Sequence, residues 1–173
     1  HLGAGAACWG ERPAARAQPQ ACPREPLAGP GRGGGRLCVR AVEDDPTNRL
    51  SLQRLWDTLG GEVVMAEDGR QGVHAAELQA FDVILMDIQM PEMDGVSAMQ
   101  CIRETRKSAD ARIVAVTALA SDDHRREFLA AGFSDYLPKP VEIAELRRVL
   151  EIALVTDRRA DAPTDEESRV SNG

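Results

Sequence analysis

Between Leu37 and about Val155, short apolar runs alternate five times with segments that have the pattern of amphipathic helices. Short runs that are apolar throughout are typical of parallel strands, because both faces of such strands are covered. Regular alternation of strands and helices requires a parallel sheet with right-handed crossovers and helices on both faces. The pattern therefore predicts an α/β fold and leaves no part of this segment for a second folded domain.

The apolar pattern also places the individual elements. Strands are predicted at 37–42, 63–66, 83–86, 113–117 and 136–137, and helices at 46–59, 69–78, 96–103, 122–131 and from about 141. Asp45 is a suitable N-cap for the first helix, since its carboxylate can accept from the free amides of the first turn. Pro46 then occupies the first helical position, where its missing N–H removes no helical hydrogen bond.

The segments on either side of this region differ from it in composition. Residues 1–36 are rich in Gly, Ala and Pro without apolar periodicity, which predicts a linker or disordered arm. The glycine-rich run at 29–35 precedes a strand, whereas a phosphate loop follows one. Residues 156–173 are polar and acidic and predict a flexible tail. We therefore expect one folded domain at 37–155.

Composition narrows the class of function. The net charge of −7 argues against direct nucleic-acid binding, which needs clustered Lys and Arg. No apolar run approaches the ~18 residues of a membrane span, so this segment is expected to make no membrane contact. The four cysteines lack the spacing of a zinc site; they are Cys8, Cys22, Cys38 and Cys101. Cys38 and Cys101 lie in apolar and helical stretches, so we expect them to be buried free thiols and the location to be cytoplasmic.

Acidic and polar residues stand at the ends of the predicted strands. Glu43 and Asp44 follow the first strand, Asp87 follows the third, Thr117 ends the fourth and Lys139 follows the fifth. Open α/β sheets bind ligands outside the carboxyl ends of their strands, so these side chains should converge. Crowded carboxylates favour a hard cation such as Mg²⁺. A carboxylate can also accept a phosphoryl group, whose charge a metal, a lysine and a hydroxyl would stabilise.

Each of these residues also has a commonplace interpretation when it is taken singly. The acidic turn at 43–45 is typical of a helix cap, and strand-end threonines and solvated lysines are common. Asp94 is expected to cap the following helix and not to bind a metal. The combination at several consecutive junctions is what favours a functional site.

Four motifs of this chain resemble those of the receiver domain of two-component response regulators, in the style attached to hybrid sensor histidine kinases. They stand in family order at 42–48 (VEDDPTN), 86–95 (MDIQMPEMDG), 116–120 (VTALA) and 132–140 (GFSDYLPKP). The resemblance implies a flavodoxin-like doubly wound sheet of five parallel strands in the order 2-1-3-4-5, with helices on both faces.

The resemblance also implies roles at the acidic site. Asp87 would be the phosphoacceptor. Glu43, Asp44 and Asp87 would hold Mg²⁺ together with the main-chain carbonyl of Gln89.

Further roles concern the switch and the partners. Thr117 and Lys139 would bind phosphoryl oxygens, Tyr136 would change rotamer as Thr117 moves, and Pro140 would follow a cis peptide. The donor would be a phosphohistidine on a histidine kinase or histidine phosphotransfer domain. Helix four, strand five and helix five would form the partner face and a possible dimer interface. Such a domain promotes only its own phosphorylation and dephosphorylation, and so is not an enzyme acting on other substrates.

Three alternatives stand beside this interpretation. The Gly- and Pro-rich segment before the domain favours part of a hybrid kinase, and a stand-alone regulator is the alternative architecture. A haloacid-dehalogenase-type phosphatase would also use an Asp nucleophile and Mg²⁺, but its acid–base Asp would fall at Gln89, which cannot serve. A binding module that is no longer phosphorylated would not need the intact acid, threonine and lysine set.

Arg40 departs from the family pattern, which has an aliphatic residue in this strand. A buried and unpaired guanidinium is costly. Either Arg40 reaches the acidic edge of the sheet, or the chain before Ala41 departs from the family fold. We expect Arg40 to weaken the domain.

Overall fold

The computed structural model of this chain describes residues 37–61, 63–119 and 121–160. Five strands and five helices alternate along these residues. The strands are β1 Val39–Val42, β2 Val64–Ala66, β3 Val83–Asp87, β4 Arg112–Thr117 and β5 Asp135–Pro138. The helices are α1 Pro46–Leu59, α2 Gly69–Leu78, α3 Gly95–Arg103, α4 Asp122–Ala131 and α5 Ile143–Ala160.

The five strands form one parallel sheet in the order β2-β1-β3-β4-β5, which confirms the predicted topology. Chain order reverses between β1 and β3, two interior neighbours, so the loops after these strands diverge and leave a crevice between them. In the register of the sheet, Val42 pairs with Met86. The segments after β1 and β3 therefore leave the sheet side by side.

The side chains of the sheet alternate between two apolar layers. Val83 and Leu85 of β3 pack with α1 and α5, while Ile84 and Met86 pack with α2, α3 and α4. Every residue of β3 is buried, as expected for a strand covered on both faces. The predicted apolar face of α1 also lies in the first layer, with Leu52 and Trp56 buried and Leu55 and Leu59 partly buried.

The boundaries of α1, α2 and α4 are those that the sequence predicts, because local signals mark their ends. Asp45 caps α1 by accepting from the amides of Thr47 and Asn48 at 2.7 and 3.0 Å. Gly60 ends α1 with a left-handed φ of 72°, which glycine adopts without steric cost.

The C-terminal helix is longer than the sequence predicts. Helix α5 continues to Ala160, past the predicted limit near Val155. The predicted arm at 1–36 and the remainder of the predicted tail, 161–173, lie outside the described residues. Among the helices that the structure describes, none is long and apolar enough to cross a membrane.

The expectation of free thiols is wrong for the two described cysteines. Cys38, before β1, and Cys101, on α3, are both disulfide-bonded. Sequence positions alone could not reveal that these cysteines are disulfide-bonded, because disulfides form where the fold brings two thiols within bonding distance.

Arg40 does not reach the acidic edge. It lies in β1 between Val64 and Ile84 and is only 3% exposed. Its guanidinium lies 5.0 Å from the centre of the ring of Phe81, which precedes β3 and so lies at the opposite end of the sheet from Asp87. The Nε and Nη2 atoms of Arg40 are buried without a hydrogen-bond partner. Burial lowers the pKa of this guanidinium to about 10.

Candidate functional site

Three carboxylates meet where β1 and β3 end. Glu43 and Asp44 follow β1, and Asp87 is the last residue of the neighbouring strand β3. One oxygen from each carboxylate lies within 4.8 Å of the other two. Glu43 and Asp87 are only 1% and 2% exposed, and Asp44 is half-buried. The structure thus brings together the three side chains that the sequence analysis assigned to a metal.

Lys139 joins two of these carboxylates. Its Nζ lies 2.9 Å from Oε2 of Glu43 and 3.1 Å from Oδ2 of Asp87. The loop that carries Lys139 is anchored to β4, because the amide of Lys139 donates to the carbonyl of Thr117 at 2.8 Å. The peptide between Lys139 and Pro140 is cis, as the resemblance implied. The ammonium is therefore held between the end of β1 and the end of β3.

Burial dominates the electrostatics of Asp87. The pKa of this carboxyl is raised from 3.8 to about 6, mainly by removal from water and also by the negative charge of Glu43. The hydrogen bond and charge of Lys139, and the amide of Gln89, oppose this rise. At neutral pH the ionised form of Asp87 still prevails, so its oxygens are available as a nucleophile and as metal ligands.

The pKa of Lys139 shifts in the direction that favours its charged form. Burial by itself lowers the pKa of its ammonium, but the hydrogen bonds and charges of Glu43 and Asp87 outweigh this and raise the pKa above 10.5. The site holds three carboxylates, of which the ammonium of Lys139 contacts two, so it carries an excess of negative charge. A set of carboxylate oxygens with excess charge fits a hard divalent cation such as Mg²⁺, which binds through few carboxylates and keeps several waters.

Thr117 ends β4 next to Asp87. In the sheet Asp87 pairs with Val116, so Thr117 is one residue beyond this pair. Thr117 is 1% exposed, and its Oγ1 accepts from the amide of Leu119 at 3.0 Å. The hydroxyl hydrogen remains available for donation to a ligand oxygen. Ala120, the last residue of this motif, lies outside the described residues.

Tyr136 does not belong to the carboxylate cluster. It lies in β5, where it pairs with Ala115, two residues before the Thr117–Pro138 pair. Its half-buried ring packs against the apolar layer that contains α4. The structure therefore separates the predicted acceptor from the predicted switch aromatic by one strand, β4.

The loop after Asp87 is held close to the end of β3. The amide of Gln89 donates to Oδ1 of Asp87 at 3.1 Å, and the amide of Gly95 donates to the carbonyl of Ile88 at 3.0 Å. A Cβ on Gly95 would collide with the main-chain carbonyl oxygen of Asp87. Only glycine can allow this close approach. The carbonyl of Gln89 as a metal ligand stays a prediction.

Sequence reasoning missed two residues that support this site. Nη1 of Arg49 donates to the carbonyl oxygens of both Glu43 and Asp44, at 3.0 and 2.7 Å. Nδ2 of Asn48 donates to Oε1 of Glu43 at 3.3 Å. The available signal was their place on the first turns of α1, directly after the acidic residues.

Two further acids are helix caps, as predicted. Asp45 caps α1, and Oδ1 of Asp94 accepts from the amide of Ser97 at 2.8 Å at the start of α3. Within the acidic turn at 43–45, Asp45 therefore follows the commonplace interpretation.

Comparison with known proteins gives a consistent result. A profile of the response regulator receiver domain matches residues 39–151. Over 115 residues the chain is 42% identical to the sensor protein GacS of Pseudomonas syringae pv. syringae. This match covers 65% of this chain and 13% of that protein. The chain thus corresponds to a small part of this much longer relative.

Solved structures with a similar fold include the following two receiver domains. The receiver domain of the sensor histidine kinase PA1611 from Pseudomonas aeruginosa PAO1, with magnesium coordinated in its active site cleft, matches with a TM-score of 0.62 and 39% identity. This match covers 68% of this chain and 96% of that one. The second is the co-crystal structure of the Saccharomyces cerevisiae histidine phosphotransfer protein Ypd1 and the receiver domain of its response regulator Ssk1. It matches with a TM-score of 0.62 and 27% identity, and the match covers 69% of this chain and 89% of that one.

Proposed function

This chain belongs to the response regulator receiver domain family, and we propose that its Asp87 accepts a phosphoryl group from a phosphohistidine in a Mg²⁺-dependent reaction. The observation that carries the proposal is the buried carboxylate of Asp87, which lies beside Glu43 and Asp44 and within 3.1 Å of the ammonium of Lys139. A carboxylate in this setting can act as the nucleophile of phosphoryl transfer.

The transfer follows from the chemistry of these side chains. An oxygen of ionised Asp87 forms a bond to phosphorus as the bond from phosphorus to the histidine nitrogen breaks, and the imidazole leaves with the electron pair. Lys139 then faces a phosphoryl oxygen in place of a free carboxylate, and the Thr117 hydroxyl donates to another. Both interactions stabilise charge that the transition state spreads over the equatorial oxygens.

Glu43, Asp44, Asp87 and the carbonyl of Gln89 are the proposed ligands of Mg²⁺. The ion would offset the negative charge of the carboxylates and of the incoming phosphoryl group. The coordinated magnesium in the related receiver of PA1611 supports this assignment. Arg49, which donates to the carbonyls of Glu43 and Asp44, would keep two of the ligand residues in place.

Phosphorylation of Asp87 would change the structure of the domain at a distance from this residue. The new group adds charge and acceptor oxygens at the sheet edge. Thr117 moves toward it, Tyr136 changes rotamer, and the face formed by α4, β5 and α5 changes shape for a partner or for a second copy of the chain. This is a local charge event that biases a two-state element.

The proposed donor is a histidine kinase or a histidine phosphotransfer domain. The related receiver of Ssk1 in complex with the phosphotransfer protein Ypd1 supports the second kind of partner. We propose that the domain is part of a hybrid histidine kinase, as the similarity to sensor protein GacS favours. The cytoplasmic location predicted from the sequence is not part of this proposal, because Cys38 and Cys101 are disulfide-bonded and disulfides are rare in the cytoplasm.

Labelling with radioactive acetyl phosphate tests the acceptor. The unmodified chain should take up an acid-stable label only with Mg²⁺. Asp87→Ala should abolish uptake, because no other buried carboxylate among the described residues both contacts Lys139 and ends β3. Asp94→Ala is the matched control, because Asp94 is an acid of the same loop whose side chain caps α3. Thermal unfolding of each variant checks its fold.

The same experiment separates the competing functions. Label that survives Asp87→Ala would refute the acceptor assignment. Continuous hydrolysis of p-nitrophenyl phosphate by the unmodified chain would favour a phosphatase. Absence of any label with an intact fold would favour a binding module that is no longer phosphorylated.

A further inference from the structure

The ring of Tyr136 is held by packing and by one cationic contact. Tyr136 lies half-buried in β5, and its ring packs against the layer that contains α4. None of the hydrogen bonds among the described residues involves its hydroxyl. No directional bond to the phenol therefore fixes the rotamer of this side chain in the part of the chain that the structure describes.

The cationic contact comes from Arg125 on α4. The central guanidinium carbon of Arg125 lies 5.5 Å from the centre of the Tyr136 ring, which is within the range of a cation–π interaction. Arg125 is exposed, and it takes part in none of the ion pairs among the described residues. The guanidinium is thus not engaged by a carboxylate there and is available to the ring.

Helix α4 presents Arg125 from a well-anchored position. Phe128, one turn further along the helix, packs edge-to-face against Phe133, with ring centres 6.0 Å apart. Gly132 ends α4 with a φ of 120°, and the amide of Phe133 donates to the carbonyl of Phe128 at 3.1 Å. Since these contacts fix the end of α4 against the start of β5, the place of Arg125 relative to Tyr136 is set by the fold.

We infer that Arg125 is a positioning residue that holds Tyr136 in its present rotamer and so opposes the switch. The inference rests on the proposed function, which gives Tyr136 its role. A ring that leaves this rotamer loses the contact with Arg125. Loss of an exposed cation–π contact corresponds to a shift of about two- to five-fold in the equilibrium between the two ring positions. Arg125 would therefore set how much free energy phosphorylation must supply before the partner face changes shape.

The chain offers a selective probe, because Tyr136 is its only tyrosine. Protein grown with 3-fluorotyrosine should give one ¹⁹F resonance from this ring, and beryllofluoride with Mg²⁺ should move it toward the position of the switched state. In Arg125→Gln we expect the resonance of the untreated chain to lie part of the way toward that position. The beryllofluoride concentration at half-effect should fall about two- to five-fold.

Two variants control for charge and fold. Arg126→Gln removes the neighbouring exposed arginine of the same helix and should leave both the resonance and the half-effect concentration unchanged. Arg125→Lys keeps a cation that can lie over the ring and should restore most of the original behaviour. All three variants should unfold at the same temperature as the unmodified chain, since the contact lies at the surface.

The outcomes separate this inference from the proposed function. If beryllofluoride fails to move the resonance in the unmodified chain, the proposed function fails and this inference fails with it. If the unmodified chain responds but Arg125→Gln behaves as Arg126→Gln does, the positioning role of Arg125 alone is overturned. Equal shifts in both variants would also overturn it, because they would reflect the charge of α4 and not the ring contact.

Discussion

Arg40 shows how a single residue can oppose the fold that contains it. It lies in the interior strand β1 with two guanidinium nitrogens unpaired, and its contact with the Phe81 ring is its main compensation. Unsatisfied buried polar groups cost about 1–3 kcal/mol each in proteins, whereas a cation–π contact returns about 0.5–2 kcal/mol. The balance is unfavourable to stability.

Replacing Arg40 should therefore stabilise the domain. We expect Arg40→Leu or Arg40→Met to raise the free energy of unfolding by about 1–2 kcal/mol, measured by urea denaturation. The Met variant guards against the cavity that the shorter Leu would leave. Arg106→Leu, at an exposed position, should change stability by less than about 0.5 kcal/mol. No gain in either Arg40 variant would show that the cation–π contact and packing of the stem already offset the buried charge.

The turn between β1 and α1 is the element on which the proposed metal site depends. Its carbonyls at Glu43 and Asp44 are both bonded by Arg49, whose side chain is only 21% exposed. Arg49 also lies 3.7 Å from Glu67 in the loop after β2. One arginine thus links α1, the acidic turn and the next strand-end loop.

Loss of Arg49 should weaken metal binding more than it weakens the fold. Outer partners of metal ligands are worth about 10–100-fold in affinity, so we expect Arg49→Gln to lower Mg²⁺ affinity by about ten-fold in calorimetric titration. Arg54→Gln, an exposed arginine on the same helix, is the control and should bind Mg²⁺ as the unmodified chain does. Equal Mg²⁺ affinity in the two variants would remove Arg49 from the site.

The stability of the whole molecule should depend on the charge at Asp87. The pKa of this carboxyl is raised in the folded chain from 3.8 to about 6. A raised carboxyl pKa means that the folded state holds the proton more tightly than the unfolded state does. Without metal, the contribution of Asp87 to stability is therefore full below about pH 4 and is lost as pH rises to about 6.

A pH series on Asp87→Asn would isolate this effect. The asparagine cannot ionise, so the variant should gain stability over the unmodified chain as pH rises from about 4 to about 6, by at most about 3 kcal/mol. Added Mg²⁺ should narrow the difference by binding the folded chain. Urea unfolding at each pH measures it, with Asp94→Asn as the control acid. A difference that does not change with pH would contradict the raised pKa.

The residues along the chain are enough to predict the architecture and to name candidate residues for the site. Apolar periodicity predicts the five strands, the resemblance to receiver domains implies their order, and local signals such as Asp45, Pro46 and Gly60 set the limits of α1. The acids and the lysine that meet at the sheet edge stand at strand ends, where the topology of a parallel sheet brings them together. These signals are local or follow from connectivity, so they can be read along the chain.

Which side chains touch depends on the packing of the folded chain. The ion pairs of Lys139 with Glu43 and Asp87 join residues that are far apart in the sequence. The bonds of Arg49 to main-chain carbonyls, the disulfide-bonded state of Cys38 and Cys101, and the burial of Arg40 over Phe81 likewise depend on packing. Long side chains have several rotamers of similar energy, and their neighbours in space select among them. The sequence therefore predicts where the site lies, and the packed structure determines its charge balance.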